Sequence, residues 1–209
     1  MMNADPRLRW LIAVAAFVAA IEAMLSQPKS QEMPGPKPDF IIGRADAPVT
    51  IMEFASLTCP HCAHFHEAVL PDLKKKYLDT GKAKLIFRDF PLDDASVAGA
   101  LLARCLGDPD KALAMIAVLF KAQNVWAADG ANVADELRKI AKQAGFTDGG
   151  FETCLSDQKR LDEMTKGVEF AEKTLGVDGT PAFFVNGQKM TEPPTIEGFD
   201  KVLGPLAAK

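Results

Sequence analysis

Hydrophobic positions along the chain follow two spacings, and each predicts its own elements. Val49-Thr50-Ile51-Met52-Glu53-Phe54 is almost wholly apolar, the pattern of a central strand covered on both faces. Ala63, Phe65, Ala68, Val69 and Leu70 then recur as on one side of a helix, predicted over 60–79, with Pro71 placed to kink it and Gly81 to end it. A second strand is expected over 84–90, closed by Pro91. Ahead of these, Phe40-Ile41-Ile42 leads into a turn over 43–48.

From Asp93 to about Leu175 the strand pattern disappears. Ala95–Leu106 is alanine-rich and helical, and Gly107-Asp108-Pro109 reads as a stop followed by a new start. Helical spacing returns over 110–122 (Leu113, Ile116, Ala117, Phe120), over 133–144 (Leu137, Ile140) and over 157–175. No repeat of fixed period appears, so this stretch is a helical insertion and not a solenoid. Strand character resumes with Ala182-Phe183-Phe184-Val185 after the turn Asp178-Gly179-Thr180-Pro181. Asn186-Gly187 is a two-residue hairpin signal, with a return strand over 188–191. A short helix over 195–206 closes the chain, with Phe199 and Leu203 on one side. This order predicts an α/β domain whose first two core strands pair in parallel through a crossover helix and whose final hairpin adds antiparallel strands.

Composition changes this picture at one end only. The 209 residues carry a formal net charge of −4, which suits one sizeable domain and gives no reason to expect nucleic acid. Lys74-Lys75-Lys76 is too short to alter that and reads as a solvated helix face. Arg7 and Arg9 precede an uncharged run from Trp10 to Ile21, the length of a signal-peptide core and short for a membrane span. Residues 1–25 are therefore expected to be a signal peptide or an N-terminal membrane anchor. Residues 26–38, with four prolines, read as an extended linker, and 39–209 as the domain, its helical insertion at about 93–175. Either export route places the domain in an oxidising compartment, where four cysteines can form two pairs.

The candidate chemistry sits where the first strand meets its helix. Cys59-Pro60-His61-Cys62 puts Cys59 at a helix N-terminus, where unpaired N–H groups and the helix dipole favour a thiolate. Pro60 suits the first turn, where it forfeits no hydrogen bond. A protonated His61 would add positive charge near the Cys59 sulfur. A stabilised thiolate favours the reduced dithiol, and such a pair readily gives its disulfide away. Cys59 is expected to be the exposed, attacked sulfur and Cys62 the buried one. Zinc is the competing reading, with His64 and His66 as further ligands, but two helical residues two apart point in different directions. No metal is expected, and no cofactor beyond the cysteine pair. Cys105 and Cys154, 49 positions apart in the insertion, are expected to form a structural disulfide, with two buried free thiols as the alternative.

Glu53-Phe54, Cys59-Pro60-His61-Cys62, Phe65 and Glu67 together resemble the DsbA family of bacterial envelope dithiol oxidases. The resemblance implies a thioredoxin-like fold with an inserted helical subdomain over roughly 39–205. It also implies that Glu53 is a buried acid able to move the Cys62 proton; without the resemblance, a strand-end carboxylate facing solvent would do. Thr180-Pro181 resembles the cis-proline loop that faces Cys-x-x-Cys, with Thr180 backbone groups open to an extended substrate peptide. One departure stands out: the best-known oxidases of this type have valine before that proline, whereas threonine occurs also in isomerases and reductases.

The expected function is an exported thiol:disulfide oxidoreductase of the periplasm. It would pass the Cys59–Cys62 disulfide through a mixed disulfide to folding exported proteins with free cysteines. By resemblance, an integral-membrane quinone-linked partner reoxidises it. A monomer is expected, since nothing resembles a dimerisation module. The alternatives are an envelope reductase or isomerase and, from another class, a peptide-binding holdase or assembly factor.

Overall fold

A computed structural model describes residues 35–207. The expected signal or anchor segment and the linker up to residue 34 lie outside the described residues.

Strand β1 (Phe40–Gly43) leads to β2 (Val49–Ala55), followed by helix α1 (60–78) and β3 (Ala83–Asp89). Six helices fill the insertion: α2 (Asp94–Cys105), α3 (Pro109–Lys121), α4 (Gln123–Trp126), α5 (Val133–Gln143), α6 (Asp148–Leu155) and α7 (Gln158–Leu175). Strands β4 (Ala182–Val185) and β5 (Gln188–Lys189) and helix α8 (Ile196–Ala207) complete the domain. The sheet order is β1-β3-β2-β4-β5, with β2 parallel to β3 and the other neighbours antiparallel. This is a thioredoxin-like fold carrying an inserted helical subdomain.

The apolar run placed β2 at the centre, and Ile51 and Leu85, opposite each other on β2 and β3, are wholly buried. The β4–β5 turn uses Asn186 and Gly187 at φ 47° and 83°, the left-handed pair that a two-residue hairpin requires. The return strand is shorter than its sequence suggests. Only Gln188 and Lys189 pair, and Met190 adds one hydrogen bond to Phe183 O.

Helix α1 is not uniform. Its turns over Phe65–Val69 and Lys74–Leu78 are π-helical, with Leu70 N–H bonded back to Phe65 O and Asp79 N–H to Lys74 O. Pro71 is accommodated at the start of the intervening α-helical turn, where its missing donor costs little. Phe65 seats α1 against Phe183 and Phe199, with ring centroids 4.6 and 5.8 Å away.

The expected linker ends earlier than Pro38. Pro36 is buried, and the Arg104 guanidinium donates to Pro36 O (3.2 Å) and Pro38 O (3.0 Å). Arg104 also pairs with Asp89 and lies over the Phe40 ring, while Arg88 pairs with Asp39. Buried charges must be paired to be tolerated, and these pairs hold residues 36–40 against β3 and α2. Cys105 and Cys154 are joined by a disulfide that ties the end of α2 to α6. Closing that 49-residue span contributes on the order of 4 kcal/mol in the chain-entropy account.

Candidate active site

Cys59 occupies the position just before the first turn of α1, with extended backbone (φ −77°, ψ 119°), where a Ser or Asp oxygen would normally cap the helix. Its side chain makes no capping hydrogen bond, and the sulfur sits where the start of the helix favours negative charge. Two consequences follow for the thiols. The Cys59 thiol is brought down to about 5, first by the hydrogen bond from the Cys62 side chain, against the opposing effect of burial, with the backbone at the start of α1 adding to it. The Cys62 thiol is pushed far up by that same hydrogen bond, by burial and by the Glu53 charge. One sulfur is a ready thiolate and its neighbour is a held thiol.

Cys59 is less open than the sequence suggested. It keeps 6% of its surface against none for Cys62, so the difference in access is real but narrow. His61 differs too. Its side chain is exposed, and what lowers the Cys59 thiol is its backbone.

The Thr180–Pro181 peptide is cis, and the Cys59 thiol donates to Thr180 O at 3.3 Å. While Cys59 carries its proton that carbonyl is engaged with the sulfur, and ionisation of the thiol frees it for a peptide. The Thr180 hydroxyl is buried with no group in hydrogen-bonding geometry.

Glu53 is wholly buried on β2, opposite Phe87 on β3 and Phe183 on β4. The solvent-facing alternative for this residue is excluded. Both carboxylate oxygens lie at 3.0 and 2.9 Å from His66 Nε2, and the imidazole stacks on Phe120 at 4.3 Å. His66 entered the sequence reading only as a candidate zinc ligand. Its spacing of four from Cys62 is the one signal that put it on the same helix face. His64, two residues away, is exposed. Among the described residues no group of three His, Cys, Asp or Glu is placed to hold a metal ion.

The loop before Cys59 is fastened by residues that no motif marks. Asp93 caps α2 by accepting from Ser96 N–H (2.7 Å), and its other oxygen accepts from the Thr58 hydroxyl (2.7 Å). Ser96 Oγ accepts from Leu57 N–H at 2.9 Å and meets the buried Ser56 hydroxyl at the same distance. From α4, the Gln123 amide donates to Leu57 O (2.7 Å) and Cys59 O (3.1 Å). The helical insertion thus grips the redox loop from two sides.

Residues 36–204 match the family model described as Thioredoxin. The chain is 30% identical to Wolbachia pipientis alpha-DsbA1, whose structure superposes with a TM-score of 0.75 over 83% of this chain and 94% of that one. This chain belongs to the DsbA-type branch of the thioredoxin family. Oxidised BdbD from Bacillus subtilis shares the same fold at 22% identity, with a TM-score of 0.73 over 85% of this chain and 97% of that one. A Rickettsia bellii protein whose name assigns it as a protein-disulfide oxidoreductase is 34% identical over 149 residues, 71% of this chain and 57% of that protein. The DsbA-type chain thus spans a little over half the length of that relative, and 53–63% of the next three rickettsial relatives it matches.

Proposed function

We propose that this protein is an exported thiol:disulfide oxidoreductase that donates the Cys59–Cys62 disulfide to cysteine pairs of folding envelope proteins. The observation that carries the reading is the asymmetry of the two thiols: Cys59 brought down to about 5 and marginally accessible, Cys62 wholly buried and pushed up. A substrate thiolate attacks the Cys59 sulfur of the disulfide, the Cys59–Cys62 bond breaks, and Cys62 leaves as a thiolate. A second substrate thiolate then attacks the substrate sulfur of the mixed disulfide, releasing Cys59 as the stable thiolate. Two electrons pass from substrate to protein, and Cys62 takes up a proton through Glu53, the buried acid whose charge raises its thiol. The low Cys59 value favours the reduced end of this exchange, which makes the disulfide oxidising.

Thr180 and Pro181 line the substrate side, with Thr180 O released from Cys59 once that sulfur loses its proton. Residues 1–25 act as signal or anchor, the compartment is the periplasm, and a membrane quinone-linked partner reoxidises the pair. The threonine at 180 favours a second reading, a reductase or isomerase built on the same site.

One experiment decides between them: equilibration of the full chain with glutathione buffers of graded composition, with each cysteine pair followed by mass after thiol trapping. A potential well above that of glutathione is expected. A potential near that of thioredoxin overturns the donor reading and supports a reductant. The binder alternative predicts that Cys59→Ser retains client binding as its whole activity, whereas an exchanger loses turnover.

A further inference from the structure

Resting on the exchange reading above, we propose that His66 is the exit of a proton path from Cys62 through Glu53 to solvent, opening between β1, α1 and α3. Glu53 is wholly buried, so a proton it takes from Cys62 needs a carrier to reach water. On the Cys59 side stands the Thr180–Pro181 loop, with Thr180 O 3.3 Å from the sulfur. His66 is the one group hydrogen-bonded to the carboxylate among the described residues, on both oxygens.

His66 is also a wall of a cavity of about 480 Å³ between β1, α1 and α3, with apolar sides from Ile41, Leu70 and Leu113. Its side chain keeps 6% of its surface, whereas Glu53 keeps none. The charged groups facing this space are Lys74 of α1 and Asp110 of α3, beside Glu53 itself on β2. The remaining ring neighbours, Phe120, Phe87 and Phe65, carry no charge and fix the imidazole plane. His66 lies in the first π-helical turn of α1, the kind of local irregularity that recurs at functional sites.

The path operates when the buried sulfur resolves a mixed disulfide. The Cys62 proton passes to the Glu53 carboxylate, the Cys62 thiolate attacks the Cys59 sulfur, a Cys59–Cys62 bond forms, and the partner leaves as a thiolate. Glu53 then gives its proton to His66 Nε2, which carries none in the Nδ1–H tautomer, and the imidazolium loses its Nδ1 proton to water in the cavity. In the donating direction the same proton moves inward. His66 touches no reacting sulfur; it is a positioning residue that acts through Glu53.

The test is single-turnover oxidation of the reduced protein by oxidised glutathione, with acid quenching to separate formation of the Cys59–glutathione disulfide from its resolution by Cys62. His66→Gln keeps a hydrogen-bonding amide for Glu53 but cannot carry the proton. It is expected to leave the first step unchanged, to slow resolution by about tenfold or more, and to flatten the pH dependence of that step. His66→Ala is expected to be slowed likewise, and to recover as imidazole is added and occupies the vacated space. Resolution by His66→Gln at the wild-type rate and pH profile would overturn the inference, as would a folded His66→Ala that imidazole does not restore. Failure of the wild type to form the mixed disulfide at all would overturn the exchange reading itself, and this inference with it.

Discussion

Cys59 and Cys62 stand three positions apart, and their surroundings drive their thiols in opposite directions. The asymmetry needs no charged side chain next to Cys59, because backbone amides at a helix start and the partner thiol supply the donors. This has a consequence for His61, the residue between Pro60 and Cys62. Its exposed imidazole works in high dielectric, where a charge a few ångströms away counts for little. Thiolate absorbance of the reduced protein should therefore titrate with a midpoint near 5, absent in Cys59→Ser. His61→Ala should keep the midpoint near 5, since it retains the amide. A midpoint returning toward the ordinary thiol range in that variant would show that the imidazole charge, and not the backbone, holds the thiolate.

At the level of elements, the site is a joint between the β2–α1 turn and the inserted helices. Ser96 is its tightest rivet: the first turn of α2 delivers a buried hydroxyl to Leu57 N–H and to Ser56. Ser96→Ala leaves that N–H buried without a partner, which costs about 1–3 kcal/mol. Urea denaturation of the oxidised protein should show the loss as a lower midpoint at unchanged slope; an unaltered midpoint would mean the loop is held from elsewhere. This joint is also where sequence reading stopped. The parts of the fold carried by local pattern were legible: the all-apolar β2, Pro60 starting α1, the Asn186-Gly187 turn, the long helical runs. Helix α6 was not, because Gly149 and Gly150 in its first turn and its eight residues give no helical period. Helix α4, a single turn, has none either. The two cysteines, Glu53 and Pro181 were legible because their types are chemically particular. Ser96 and Gln123 were not, since serine and glutamine are common and their partners lie 39 and 66 residues away along the chain. His66 was visible as a histidine and given no role, because only the β2–α1 packing reveals that it faces Glu53.

For the molecule as a whole, the Cys59 thiolate couples folding to redox state. A thiol lowered in the folded protein, from an ordinary value of 9.0 to about 5, binds fewer protons folded than unfolded between those limits. Stability of the reduced protein must therefore rise with pH across that interval, and the gain must vanish as pH falls through 5. Each factor of ten is worth about 1.4 kcal/mol, so the reduced form gains on the order of 3 kcal/mol at pH 7. The oxidised form has no such thiolate. Reduction is thus favoured by the same amount, equivalent to roughly 60 mV in the potential of the pair. Above pH 9 the rise stops and reverses, because Cys62, pushed up in the folded state, stays protonated while its unfolded counterpart ionises. Urea denaturation of reduced wild type and reduced Cys59→Ser between pH 5 and pH 8, below the range in which an unfolded thiol ionises, isolates the Cys59 thiolate. The stability difference between them should be smallest at pH 5 and grow steadily to pH 8. A difference that stays flat with pH would mean that the thiolate is no more stable folded than unfolded. The disulfide would then owe its reactivity to geometry alone, and the asymmetry of the two sulfurs would not be what drives donation.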